Sequence, residues 1–148
     1  PQATFSACFG APFMALHPSV YAELLGHRIE THNVKVWLVN TGWTGGPYGI
    51  GHRMSIKHTR CLLTAALTGA LDNVPMIADP VFGFQVPEIC PGVPKDVLKP
   101  RLTWRDPATY DAQAQKLAQM FIENFQQFTD VVPADVMLGA PRIAELVS

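Results

Sequence analysis

Residues 40–56 read NTGWTGGPYGIGHRMSI and place five glycines (Gly42, Gly45, Gly46, Gly49 and Gly51) within ten positions. The segments on either side of this run decide the fold class. Ahead of it, VKVWLVN (residues 34–40) is a nearly continuous β-branched and aromatic stretch, the pattern of a strand covered on both sides. Behind it, RMSIKHTRCLLTAALTGAL carries Leu62, Leu63, Ala66 and Leu67 at helical spacing, with Gly69 placed to close the helix. Strand, glycine loop and helix in that order predict an α/β fold.

The loop can be tested as a phosphate cradle. Such a cradle needs glycine-given backbone freedom, amides aimed at the anion and a lysine, in the pattern GxxxxGK[ST]. Gly46 and Gly51 have the right separation, but His52 and Arg53 stand where Lys and Ser or Thr belong. A dinucleotide fingerprint fails as well, because Gly49-Ile50-Gly51 runs into His52, Arg53 and Met54 with no third glycine. Spacing alone leaves a structural turn as good a reading as a nucleotide loop.

Further out, HPSVYAELLGHRIETHN predicts a helix with Pro18 at its first position. It sets Val20, Tyr21, Leu24, Leu25 and Ile29 on one face and stops near Asn33. Residues 73–100 are proline-rich, and MIADPVFGFQVPE is cut by Pro80, Gly83 and Pro87, which predicts short antiparallel or edge strands and turns. In RDPATYDAQAQKLAQMFIENFQQF, Asp106 is the expected cap and Pro107 the first helical residue. Tyr110, Ala114, Leu117, Phe121, Phe125 and Phe128 form a stripe read as core. The tail, residues 132–148, has room for one short helix.

Composition sets the frame. The chain has 148 residues, with 48% hydrophobic and 16% charged content, which suits one globular domain or a piece of one. A net charge of -1 without basic runs argues against nucleic acid and against polybasic membrane binding. No apolar stretch approaches the ~18 residues of a membrane span, and PQATFSACFG lacks the features of a signal peptide, so a cytoplasmic location is expected. Cys8, Cys61 and Cys90 are scattered without a CxxC pair and are read as free, mostly buried thiols. The missing initiator methionine and the apolar start, TFSACFGAPFMAL, suggest an internal segment packed between lobes of something larger.

Several long strings raise the specificity of the reading. TFSACFGAPF, LHPSVYAELL, VWLVNTGWTGGPYGIGHRMSIKHTR, PGVPKDVLKPRLTW and LAQMFIENFQQF together resemble the C-terminal part of ATP-dependent phosphoenolpyruvate carboxykinase. They do so in one order and over nearly the whole chain. The resemblance implies an α/β fold in which residues 1–148 are part of a C-terminal mononucleotide-binding lobe, a mixed sheet with flanking helices. It implies an enzyme of gluconeogenesis that converts oxaloacetate and ATP to phosphoenolpyruvate, ADP and CO2, with Mg2+ on the nucleotide and a second ion, preferably Mn2+. It also implies that the phosphate loop, the Lys, His and Asp metal ligands and the arginines that hold oxaloacetate lie upstream, so no catalytic or metal residue falls in this segment.

What the resemblance leaves to this segment is the adenine. Family positions bordering the base match Arg53, Met54 and Thr59 in RMSIKHT. A guanidinium can lie flat on a purine or donate to a phosphate, a methionine gives an adaptable wall, and a hydroxyl can meet a base edge. The family frequently has Ile in place of Met54, and often an acidic or aromatic residue in place of His58. Each residue also has a plain structural reading: Arg53 as a solvated cation, Met54 as core filling, Thr59 as a helix cap. His52 and His58 are six apart, which does not place them together on a helical face, and no metal is assigned to them. Trp43 is read as packing under the loop in preference to stacking on a base. The alternative to an enzyme segment is a separate nucleotide-binding or interaction module that performs no reaction alone.

Overall fold

The structure, a computed structural model, describes residues 4–143, so the outermost residues of the expected domain and tail lie outside it. Helix α1 spans Pro18–His32 and helix α2 spans Ile56–Leu67. Both close the same way. Asn33 (φ 49°) and Gly69 (φ 75°) turn left-handed, and the next amide, of Val34 or Ala70, donates to the carbonyl five residues back, Ile29 or Ala65, at 3.0 Å. This is the Schellman closure, for which glycine and asparagine are favoured because they tolerate positive φ.

Between these helices a short hairpin forms, β1 (Trp43–Thr44) against β2 (His52–Arg53), antiparallel, with Trp43 opposite Arg53 and Thr44 opposite His52. The proline-rich region supplies a second hairpin, β3 (Met76–Ala78) with β4 (Gln85–Pro87). Asp79 makes the connecting turn, its carboxylate accepting from the amides of Val81 (2.9 Å) and Phe82 (2.6 Å). Two short helices, α3 (Lys95–Leu98) and α4 (Pro100–Thr103), lead to the long α5 (Pro107–Phe125). Asp106 caps α5 as its sequence predicts, accepting from the amides of Ala108 and Thr109. In the described part of the tail the short helix is a 3-10 helix, Val136–Gly139.

Three expectations change. Residues 34–40 form no helix and join no ladder among the described residues, although exposure alternates as in a strand, with Trp37 and Val39 half-buried and Val36 and Leu38 exposed. The sequence dictates an extended, apolar segment, but a strand also needs a ladder partner, and this stretch has none here. For the same reason the expected mixed sheet is not seen: the described ladders are two separate antiparallel pairs. The apolar faces are also incompletely covered. Leu24 and Leu25 of α1 are exposed, and Phe121 in the α5 stripe is 43% exposed.

The core is correspondingly small. Ala65, Leu71, Cys90, Val93 and Leu98 form it, with Trp37, Leu62 and Val74 packed around it. Of the three thiols only Cys90 is buried, and Cys8 is exposed, contrary to a mostly buried set. The N-terminal arm reaches α5 through an edge-on Phe5–Phe121 contact at 5.2 Å, while Phe9 and Phe13 stand in solvent.

Exposed apolar area on this scale predicts association. The 148-residue chain alone should bind a hydrophobic dye and sediment above its monomer mass. A monodisperse monomer that leaves the dye dark would contradict this.

Candidate functional site

The glycine loop is built by close backbone approach. Gly45, Gly46 and Gly49 all have positive φ. A Cβ on Gly46 would meet the Gly51 nitrogen at 2.9 Å, and one on Gly51 would collide with the carbonyl oxygens of Gly46 and Thr44. Gly46 and Gly51 therefore sit back to back, which explains their spacing without a phosphate. Trp43 meets Tyr48 edge-on across the loop at 5.3 Å but is 40% exposed, so it is not the buried packing residue expected beneath the loop.

Several of the loop's amides are already committed. Gly42 donates to Asn40 Oδ1 (2.8 Å), Ile50 and Gly51 donate to the Pro47 carbonyl, and Gly45 donates to Thr103 Oγ1 (3.1 Å). An anion cradle needs such amides free and convergent. These four are not available to an anion, and their bonds help to position the junction between β2 and α2. The base of the loop is tied to α4, because Thr103 Oγ1 also meets Thr44 Oγ1 at 3.2 Å and donates to the Pro100 carbonyl at 2.7 Å.

The sequence-predicted residues occupy that junction. Arg53 ends β2 with its side chain exposed, and the Met54 amide donates to the Gly42 carbonyl at 2.7 Å, pinning the exit of the loop. Thr59 is half-buried in the first turn of α2. The helix-cap reading of Thr59 is overturned, since Ser55 holds the N-cap position and the Thr59 amide already makes an intrahelical bond to the Ser55 carbonyl (2.9 Å).

Next to this junction lies an open cavity of about 1050 Å3, bounded by the segment 36–40, α2, the β3–β4 hairpin and α5. Met54 lines it together with Trp43, Leu62, Phe84 and Trp104, whereas Arg53 and Thr59 are not among its lining residues. The structure therefore places the three residues along one continuous β2–α2 junction but brings only Met54 to the cavity. Asp79 and Tyr110 are polar groups on its wall. Burial, and then the charge of Asp79, push the Tyr110 phenol above its ordinary value, so it stays protonated and able to donate at neutral pH. Among the described residues, no group of three or more His, Cys, Asp or Glu is gathered to hold a metal ion.

Sequence reasoning missed Thr103, Asp79 and Tyr110 as parts of this region. Thr103 meets its partners 58 and 59 residues away, a separation that no local pattern signals. For Asp79 a turn signal was present in ADPVFG.

The pattern of a family described as phosphoenolpyruvate carboxykinase matches residues 1–96. Over 142 residues the chain is 58% identical to a Thermus thermophilus protein named phosphoenolpyruvate carboxykinase (ATP), a match that takes in 96% of this chain and 27% of that protein. A Parvibaculum lavamentivorans protein of the same name is 60% identical over 144 residues, 97% of this chain and 27% of its own. A Moorella thermoacetica relative, phosphoenolpyruvate carboxykinase (ATP) 1, is 61% identical over 131 residues, 88% and 25% respectively. The chain spans about a quarter of the length of these relatives.

The loop geometry orders two substitutions. Gly49→Ala meets open space and bears only left-handed strain, about 1 kcal/mol. Gly51→Ala drives a methyl into two backbone carbonyls and should cost more, about 3 kcal/mol. Denaturant unfolding of the two variants checks the order; equal or reversed costs would contradict the back-to-back loop.

Proposed function

The chain belongs to the ATP-dependent phosphoenolpyruvate carboxykinase family, and from that premise we propose that it supplies the adenine side of the ATP site in such an enzyme. The enzyme converts oxaloacetate and ATP to phosphoenolpyruvate, ADP and CO2, a step of gluconeogenesis in the cytoplasm. The observation that carries this reading is the 58% identity running over 96% of the chain. Residues 1–148 belong in this proposal to one C-terminal nucleotide-binding domain, and the segment 34–40 joins a mixed sheet completed by polypeptide outside the chain.

The adenine lies against the β2–α2 junction. Arg53, exposed at the end of β2, covers the purine with its planar guanidinium or turns to a phosphate. Met54, held by Gly42, presents a polarizable wall. Thr59 meets a base edge with its hydroxyl. The loop lacks the Lys and Ser or Thr that end a phosphate cradle, so the phosphates are bound elsewhere, and the Mg2+ and Mn2+ ions are held by residues outside this chain. Those ions and cationic groups supply the charge stabilisation that phosphoryl transfer needs. The contribution of this segment is orientation of the nucleoside.

Two measurements test the proposal. The 148 residues alone should show no turnover with oxaloacetate, ATP and Mn2+, and measurable phosphoenolpyruvate formation would falsify the division of labour. In the full-length enzyme, Thr59→Val keeps the shape but leaves a base atom unpaired, at about 1 to 3 kcal/mol, or roughly five- to a hundred-fold in affinity. The loss should fall on KM for ATP and hardly on kcat, because an adenine contact is the same in ground and transition states. Unchanged ATP affinity would remove Thr59 from the site.

A further inference from the structure

We propose that Cys61 and Cys90 form a peroxide-sensitive thiol pair that closes to an intramolecular disulfide, fastening α2 to the turn at residues 90–93. The turn is tight: the Val93 amide donates to the Cys90 carbonyl at 3.1 Å, the two residues form an isolated antiparallel bridge, and Gly92 between them has φ 75°. Cys61, in the second turn of α2, lies directly on it. A Cβ on Gly92 would stand 2.8 Å from Cys61 Sγ and 3.6 Å from Cys61 Cβ. Cys61 therefore packs directly on this turn at Gly92, two residues from Cys90. Cys90 opens the same turn, and both thiols belong to the small core around Ala65 and Leu71.

The two sulfurs differ in access. Cys61 is half-buried and forms part of the wall of a surface pocket of about 320 Å3, shared with Arg60, Thr64, Thr68 and Pro91. A small oxidant reaches it there. Cys90 is 5% exposed, and burial, then the neighbouring Cys61, push its thiol up, so it remains protonated and is not the first to react. Hydrogen peroxide supplies the oxidising equivalents. The Cys61 sulfur attacks one peroxide oxygen, the O–O bond breaks, and sulfenic acid and one water result. The Cys90 sulfur then attacks the Cys61 sulfur. The S–S bond forms as the S–O bond breaks, and the leaving hydroxide takes the Cys90 proton as a second water. Two thiols have lost two electrons and two protons, and the peroxide has been reduced to water.

Peptide mapping of the natural full-length protein tests this. No Lys or Arg lies between Cys61 and Lys95, so trypsin leaves both thiols on one peptide; a second cut before Asp72 and Asp79 separates residues 61–71 from 79–95. After brief peroxide treatment and alkylation, the two peptides should be recovered joined, about 2 Da below their summed mass, and dithiothreitol should part them. This species should exceed any Cys8-linked species by at least about tenfold, given that Cys8 is not among the core residues that include Cys61 and Cys90. Cys61→Ser should abolish it while leaving Cys90 open to alkylation on unfolding, which keeps the test valid if Cys90→Ser fails to fold. Recovery of both thiols alkylated after peroxide, of Cys61 carried to sulfinic acid without a bond to Cys90, or of Cys8-linked dimers as the main product would overturn the proposal.

Discussion

The hydroxyl of Thr103 is the tie on which the candidate site depends. It receives the Gly45 amide, meets the Thr44 hydroxyl and donates to the Pro100 carbonyl, joining the glycine loop to the α4 segment that feeds α5. A threonine hydroxyl has one proton to give and two lone pairs to offer, and here that capacity is spent on fixing two distant segments. With the base of the loop held, the back-to-back glycines fold the chain sharply onto itself. The Met54 amide then closes on Gly42, and β2 leads into α2 in a fixed direction. The Arg53–Thr59 run takes its geometry from this sequence of constraints.

A loop that commits several of its amides to structure does different chemistry from one that leaves them all open. Phosphate recognition needs free donors, whereas base recognition needs a shaped wall and a few side-chain groups. The glycines in this loop let backbone approach backbone. Arginine, methionine and threonine suit a base because they combine a flat cation, a soft surface and a hydroxyl within one short run.

Much of the fold was legible locally. Pro18, Asn33, Gly69, Asp106 and Pro107 mark helix ends through backbone chemistry that acts within a few residues, and each stands where its type predicts. The unpaired segment 34–40 was not legible in the same way, because an apolar extended pattern carries no information about its partner. Phe121 of α5 is exposed for a related reason: periodicity defines a face, while exposure depends on what covers it. The glycine loop and the β2–α2 junction were readable as positions. The Thr103 tie and the Asp79–Tyr110 wall join residues too far apart in sequence for any local pattern to pair them.

The central claim is that adenine lies against the β2–α2 junction. Photolabelling the full-length enzyme with an azidoadenine analogue of ATP tests it most directly. The account predicts that the label, displaced by excess ATP, is recovered on residues 53–59. ATP-protected labelling confined to residues outside this chain, with none at the junction, would contradict it.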